Sequence, residues 1–166
     1  MNHFSKNDAI KKWADEVFLR TVIALSEREL TAPRSIIFGN LILTLHHSSL
    51  IDYVWQSHLL SKPHGLTTRN PETHPTMAEL YNEQQHIDQL YVTYTDALTD
   101  KRLGEILEFE FIGGGKGAMA RSDILLHVIN HTTYHRCHAA DILYNIKVFP
   151  PTTDYPVFLR EMQKMT

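Results

Sequence analysis

Along most of the chain, apolar residues recur at steps of three and four, the spacing that gives a helix one water-avoiding stripe. Over residues 7–25 the stripe is Ile10, Trp13, Ala14, Val17, Phe18, Val22 and Leu25, with Asn7 or Asp8 placed to cap it, and Ser26-Glu27-Arg28-Glu29 reads as a polar turn. Residues 35–60 carry a nearly unbroken apolar pattern through Ile36, Leu41, Leu45, Ile51, Val54, Trp55 and Leu59, long enough for a helix across the whole domain. Pro63, Gly65, Pro71 and Pro75 then make residues 61–76 a loop, in which His64 and His74 are expected to be exposed. Thr76 is suited to cap a third helix over residues 77–98, with Leu80, Ile87, Leu90, Tyr91, Tyr94 and Leu98 on its apolar face.

The rhythm changes once. Leu107, Phe109 and Phe111 alternate with Glu108 and Glu110 ahead of Gly113-Gly114-Gly115-Lys116-Gly117, which predicts a short strand and hairpin. The glycine run lacks the Gly-x-x-x-x-Gly-Lys-Ser/Thr order of a phosphate loop, so it reads as a turn. A fourth helix follows over residues 122–145, begun by Ser122 or Asp123, and a short one over 155–165. Four long amphipathic segments predict an all-α four-helix bundle, forming a single domain over residues 1–166.

Composition narrows the function more than the fold. A net charge of −3 with no basic stripe makes nucleic acid a poor partner. The lone Cys137 allows no internal disulfide and reads as a small packed residue. Residues 1–8 lack the basic start and apolar run of a signal peptide, and the longest apolar stretch, residues 36–45, is too short to span a bilayer. A soluble cytoplasmic protein is the expectation.

Candidate chemistry lies in the fourth helix, where His127, His131 and His135 stand four residues apart. A step of four turns a helix by about 40°, so neighbours at that spacing share a face and two imidazoles can grip one metal ion. Both 127/131 and 131/135 qualify as the pair. In a bundle the remaining ligand comes from a facing helix, and the second long helix offers the adjacent His46 and His47, of which at most one faces the fourth. Three imidazoles would leave a tetrahedral ion one open position, as in catalytic sites.

The segment Asn130-His131-Thr132-Thr133-Tyr134-His135-Arg136 resembles the Asn-His-x-Thr-x-His-Arg signature of the DinB-like (DinB/YfiT) superfamily. Leu45-His46-His47 followed by Asp52 and Trp55, the Trp13-Ala14 pair, the helix order and the hairpin resemble it too. The resemblance implies a bundle that binds one divalent metal through His47, His131 and His135, with zinc or nickel expected first and iron or copper as alternatives. On that reading His127 is a neighbour linked to Asp123, and His46 points elsewhere. Asp52 is a candidate carboxylate behind the ligands or between helices, Arg136 a partner for an acid across the bundle or a dimer face, and Asn130 a hydrogen-bonding neighbour. The family often continues with Gly-Gln where this chain has Cys137-His138, which brings His138 in as a further candidate near the site.

Three neutral ligands leave the full charge of a divalent ion on its open position, favouring water, hydroxide or a thiolate there. The superfamily includes transferases that use low-molecular-weight thiols. The first expectation is therefore a metal-dependent thiol S-transferase acting on electrophiles in detoxification or stress response. A metal-dependent hydrolase and a non-catalytic, metal-stabilised stress-response binding protein are the alternatives. The resemblance also implies a homodimer. Its partners would be a small-molecule thiol or electrophile, with no membrane and no nucleic acid.

Overall fold

The computed structural model describes residues 3–164. Four long helices, α1 (His3–Val22), α3 (Leu41–Leu59), α4 (Met77–Asp96) and α6 (Arg121–Asn145), form the bundle. Short helices α2 (Glu27–Thr31), α5 (Asp100–Leu103) and α7 (Tyr155–Lys164) and the strands β1 (Ile106–Glu110) and β2 (Lys116–Ala120) complete it. Around the bundle α1 packs on α4 and α6, and α3 packs on the same two. The helices α3 and α6, which carry the histidines, are thus direct neighbours.

Several expected boundaries move, each for a local reason. Helix α1 begins at His3, so Asp8 does not cap it and is instead buried within it. Ser26 does not merely end a helix; its hydroxyl accepts from the Glu29 N–H while the Glu29 carboxylate accepts from the Ser26 N–H, and this capping box starts α2. Residues 35–40 are not helical. Gly39 takes φ +79°, and Asn40 is extended with its side chain accepting from the Leu43 N–H, so α3 starts at Leu41. Thr76 caps α4 as expected, through a second capping box with Glu79. Helix α6 starts at Arg121, one residue earlier than Ser122.

The hairpin is antiparallel, with Phe109 opposite Gly117 and Glu110 opposite Lys116. Gly113, Gly114 and Gly115 all have φ near +95°, which makes the glycine run the turn itself. A Cβ at Gly117 would lie 2.7 Å from the Phe109 ring, so glycine there lets that ring cross the strand. Phe109 then packs edge-on against Trp55 of α3, with ring centroids 4.9 Å apart.

The core is divided lengthwise. One apolar cluster holds Phe18, Leu19, Val22, Leu41, Ile42, Leu80, Ile142 and Leu143. The other holds Trp55, Leu59, Ile87, Tyr91, Ile124, Leu125 and Val128. Between them each helix contributes buried polar residues, among them Asp8, Lys11 and Asp15 from α1, His47 and Asp52 from α3, Gln84 and Asp88 from α4, and Thr132 and His135 from α6. This belt, not either cluster, holds the candidate ligands His47 and His135. Among the described residues no helix is long and apolar enough to cross a membrane.

Candidate metal centre

On the α3–α6 side of the belt, His47, His131 and His135 bring one ring nitrogen each to within 4.8 Å of the others. The Nε2 atoms of His131 and His135 are 3.1 Å apart. Imidazole nitrogens sit about 2.0–2.1 Å from a zinc ion, so two of them on one tetrahedral ion lie about 3.3 Å from each other. The spacing of this pair fits a shared ion without a change of rotamer.

Electrostatics keep the rings in the form a metal needs. Burial is the main cause that pushes His131 down to about 3, and repulsion of its protonated form by His135, His47, His127 and Lys11 adds to it. Burial, then His47 and His138, pushes His135 down to about 4. Both rings are neutral at pH 7, and their Nε2 atoms face each other. A donor set of three imidazoles suits a borderline-soft divalent ion.

The orientation of His47 comes from the 61–76 loop. Its Nδ1 lies 3.0 Å from the Arg69 carbonyl oxygen and 2.7 Å from Oδ1 of Asn70. A carbonyl can only accept, so Nδ1 carries the proton and Nε2 keeps the lone pair that faces the site. Phe38, delivered by the turn before α3, stacks on the same ring at 4.3 Å and touches His135 edge-on at 5.4 Å. Arg69, Asn70 and Phe38 were not among the expected site residues. No periodic pattern marks them, because they belong to turns and act through a carbonyl, a carboxamide and a ring face.

The other expected residues fall in distinct places. Asp52 joins helices rather than supporting an imidazole: it is fully buried, 2.7 Å from Lys11 Nζ, and accepts from Thr132 Oγ1 at 2.8 Å and Gln84 Nε2 at 3.1 Å. Tyr91 donates to its backbone carbonyl at 2.7 Å. One aspartate thus ties α3 to α1, α4 and α6. Arg136 pairs across the bundle with Asp15 at 2.7 Å. Because Thr132 and Arg136 each directly follow a candidate ligand, these bonds hold α6 at the rotation that turns His131 and His135 inward.

His127 is half-buried beside the site, edge-on to Trp55 at 5.0 Å and 5.6 Å from the His131 ring, while Asp123 is exposed. Its expected link to Asp123 is replaced by this aromatic contact. Asn130 is exposed on the outer face of α6. His138 packs on Tyr134 at 4.2 Å and on His135 at 5.6 Å, behind the ligands rather than in front of them. Cys137 is exposed, not packed, since it lies about 200° around the helix from His135. His46 turns away toward Thr73 and His74. His64 and His74 are half-buried rather than exposed: His64 Nδ1 accepts from the Leu66 N–H at 3.0 Å, and His74 Nδ1 lies 2.9 Å from the Pro75 carbonyl.

In front of the three histidines opens a cleft of about 440 Å³. Ile51, Val54 and Trp55 of α3, Ile37 and Phe38 of the preceding turn, and Phe111 and Ile112 of the hairpin form its apolar walls. His58, His127, Arg69 and Asn70 supply polar groups. Such a size and lining belong to the range of small-molecule sites.

A family model described as the DinB family matches residues 5–165. No curated protein matches the chain. Among solved structures it is similar to a crystal structure of a DinB-like protein from Bacillus cereus ATCC 10987, with a TM-score of 0.70 and 20% identity, over 90% of this chain and 94% of that one. At that identity the likeness speaks for the fold alone, whereas the family match spans nearly every residue from α1 to α7. The chain belongs to the DinB family.

Proposed function

We propose that His47, His131 and His135 hold one divalent ion, zinc or nickel, and that the protein is a thiol S-transferase that joins a small thiol to an electrophile. The observation that carries this reading is the convergence of three imidazoles at an apolar-walled cleft. An ion held by uncharged ligands keeps its charge for a fourth partner, and would stabilise the thiolate form of a thiol at that position.

The chain's own residues supply the rest. Asn70 and the Arg69 carbonyl hold the His47 ring in the tautomer that presents Nε2. Phe38 covers that ring, which excludes water from its flank. Trp55, Ile51 and Val54 offer an apolar surface on which an electrophile can lie beside the thiol. No carboxylate lines the cleft among the described residues, so a carboxylate base for activating water is missing there, and thiol transfer is favoured over hydrolysis.

Metal-loaded protein is expected to conjugate thiols to a panel of electrophiles such as epoxides, alkyl halides and activated alkenes, and His131→Ala to lose that conversion. Turnover of esters or amides without a thiol would favour hydrolysis instead. One equivalent of metal with neither activity would identify a metal-stabilised binding protein.

A further inference from the structure

The cleft has a charge pattern that bears on what enters it. Among the described residues that line it, Arg69 carries the only permanent charge, and no aspartate or glutamate faces it. The protein as a whole is acidic, with a net charge of −3, so this cleft is an exception to its own surface. Arg69 forms no ion pair among the described residues. Its backbone carbonyl is bonded to His47 Nδ1, so the root of this side chain is fixed one imidazole away from the converging nitrogens. Arg69 is exposed where it lines the cleft, and its guanidinium turned inward above a divalent ion would place two positive centres at one end of an apolar-walled cleft, where field lines are focused and an anion is drawn in.

We infer that the thiol taken by this site bears a carboxylate, which Arg69 reads while the sulfur faces His47, His131 and His135. This rests on the metal-dependent thiol reading above and names its substrate class. The planar guanidinium matches a carboxylate in two parallel hydrogen bonds, a geometry lysine does not reproduce. A neutral thiol of equal size gains nothing from Arg69, and an amine-bearing thiol is repelled by it.

The test uses full-length protein loaded with Co²⁺, whose visible absorption changes when sulfur joins the coordination sphere. The probes are 3-mercaptopropionate, its neutral methyl ester and cysteamine, each titrated into the parent, Arg69→Ala and Arg69→Lys. The parent is expected to prefer the acid over the ester by about ten-fold more than Arg69→Ala does, with Arg69→Lys in between. The ratio of acid to ester cancels the difference in intrinsic thiol acidity between the probes. Equal ratios in the parent and Arg69→Ala, with sulfur still binding, would overturn the inference and leave the thiol reading intact. Absence of any sulfur-dependent spectral change in the parent, or failure to take up Co²⁺ at all, would overturn both.

Discussion

Among the described residues, two groups of three side chains in the polar belt have the spacing of metal ligands, and they could hardly be more different. Asp15, Asp52 and Asp88 converge on one side; His47, His131 and His135 converge on the other. The first group already contains its cation, because Lys11 Nζ lies 3.1, 2.7 and 2.5 Å from the three carboxylates and is itself buried. The second group has imidazole donors, of which burial keeps His131 and His135 neutral at pH 7, no cation among them and an open cleft in front. Ligand spacing alone therefore does not distinguish a functional site from a structural one. What separates them is charge balance and access: the aspartates are sealed by their own ammonium, and the imidazoles have no cation of their own and open onto a cleft.

The aspartate side also shows how the belt tolerates its charge. The buried Asp8, Asp15, Asp52 and Asp88 face two cations, Lys11 and Arg136. Burial pushes Asp8 up to about 7, and Asp88 to about 7 as well. The raised proton affinity of those two carboxyls lessens the negative charge that Lys11 and Arg136 have to balance. Burying a matched set costs far less than burying an unmatched one.

The largest effect is expected at Lys11. Lys11→Met leaves three buried carboxylates without their ammonium and should cost about 3–5 kcal/mol in chemical denaturation, a large share of an ordinary domain's stability. Added Mg²⁺, which prefers oxygen ligands, should restore part of the loss in Lys11→Ala and leave the parent's Tm unmoved. An equally stable Lys11→Met would erase the contrast between the two groups.

Next come the imidazoles. His47→Ala, His131→Ala and His135→Ala should each lower zinc affinity by roughly a thousand-fold or more, read by competition with a chromogenic chelator, while the fold persists by circular dichroism. Retention of a full equivalent in His47→Ala would move the ligand set onto α6 alone and bring His127 back as the third donor.

Asn70→Ala should weaken zinc about ten- to hundred-fold, because the loop then holds the His47 ring by the Arg69 carbonyl only. Asn70→Asp, which keeps an acceptor and adds charge, should bind at least as tightly as the parent. Equal weakening in both variants would show that the loop's packing matters and its acceptor does not.

The smallest expected effect is the pH dependence set by Asp8. Its folded-state carboxyl, at about 7, lies above the ordinary aspartate value of 3.8, with burial as the main cause. The native chain therefore holds a proton that the unfolded chain releases, and this contribution falls as pH rises from about 4 to about 7. Asp8→Asn removes that penalty, so it should stabilise the protein by about 1–2 kcal/mol more at pH 8 than at pH 4. A gain of the same size at both pH values would contradict a protonated Asp8.

The histidine pair on α6 is legible in the amino-acid sequence alone, since the i, i+4 step places His131 and His135 on one face whatever surrounds them. The same rule leaves His127 equally eligible; in the fold that ring turns to Trp55, a contact between distant helices that no local pattern announces. Asp52 stands out in the sequence as an acid near histidines, yet its partner is Lys11 of α1, and a lysine inside an amphipathic helix ordinarily reads as solvated. The short elements are harder still. Residues 35–40 look helical by hydropathy, but Gly39 and Asn40 stop the helix, and the turn they create is what delivers Phe38 onto His47.

By itself, then, the sequence determined the number and type of the long elements, the hairpin with its glycine turn and the α6 histidine pair, because each depends on periodicity and turn chemistry within a few residues. Only the tertiary structure decided that Lys11 neutralises the aspartates, that Asn70 and Arg69 orient His47, and that the hairpin and the 35–40 turn wall a cleft above the imidazoles. Those choices depend on which side chains from distant segments meet in a medium of low dielectric, where every buried charge and donor must find a partner, and that matching is settled between helices rather than along them.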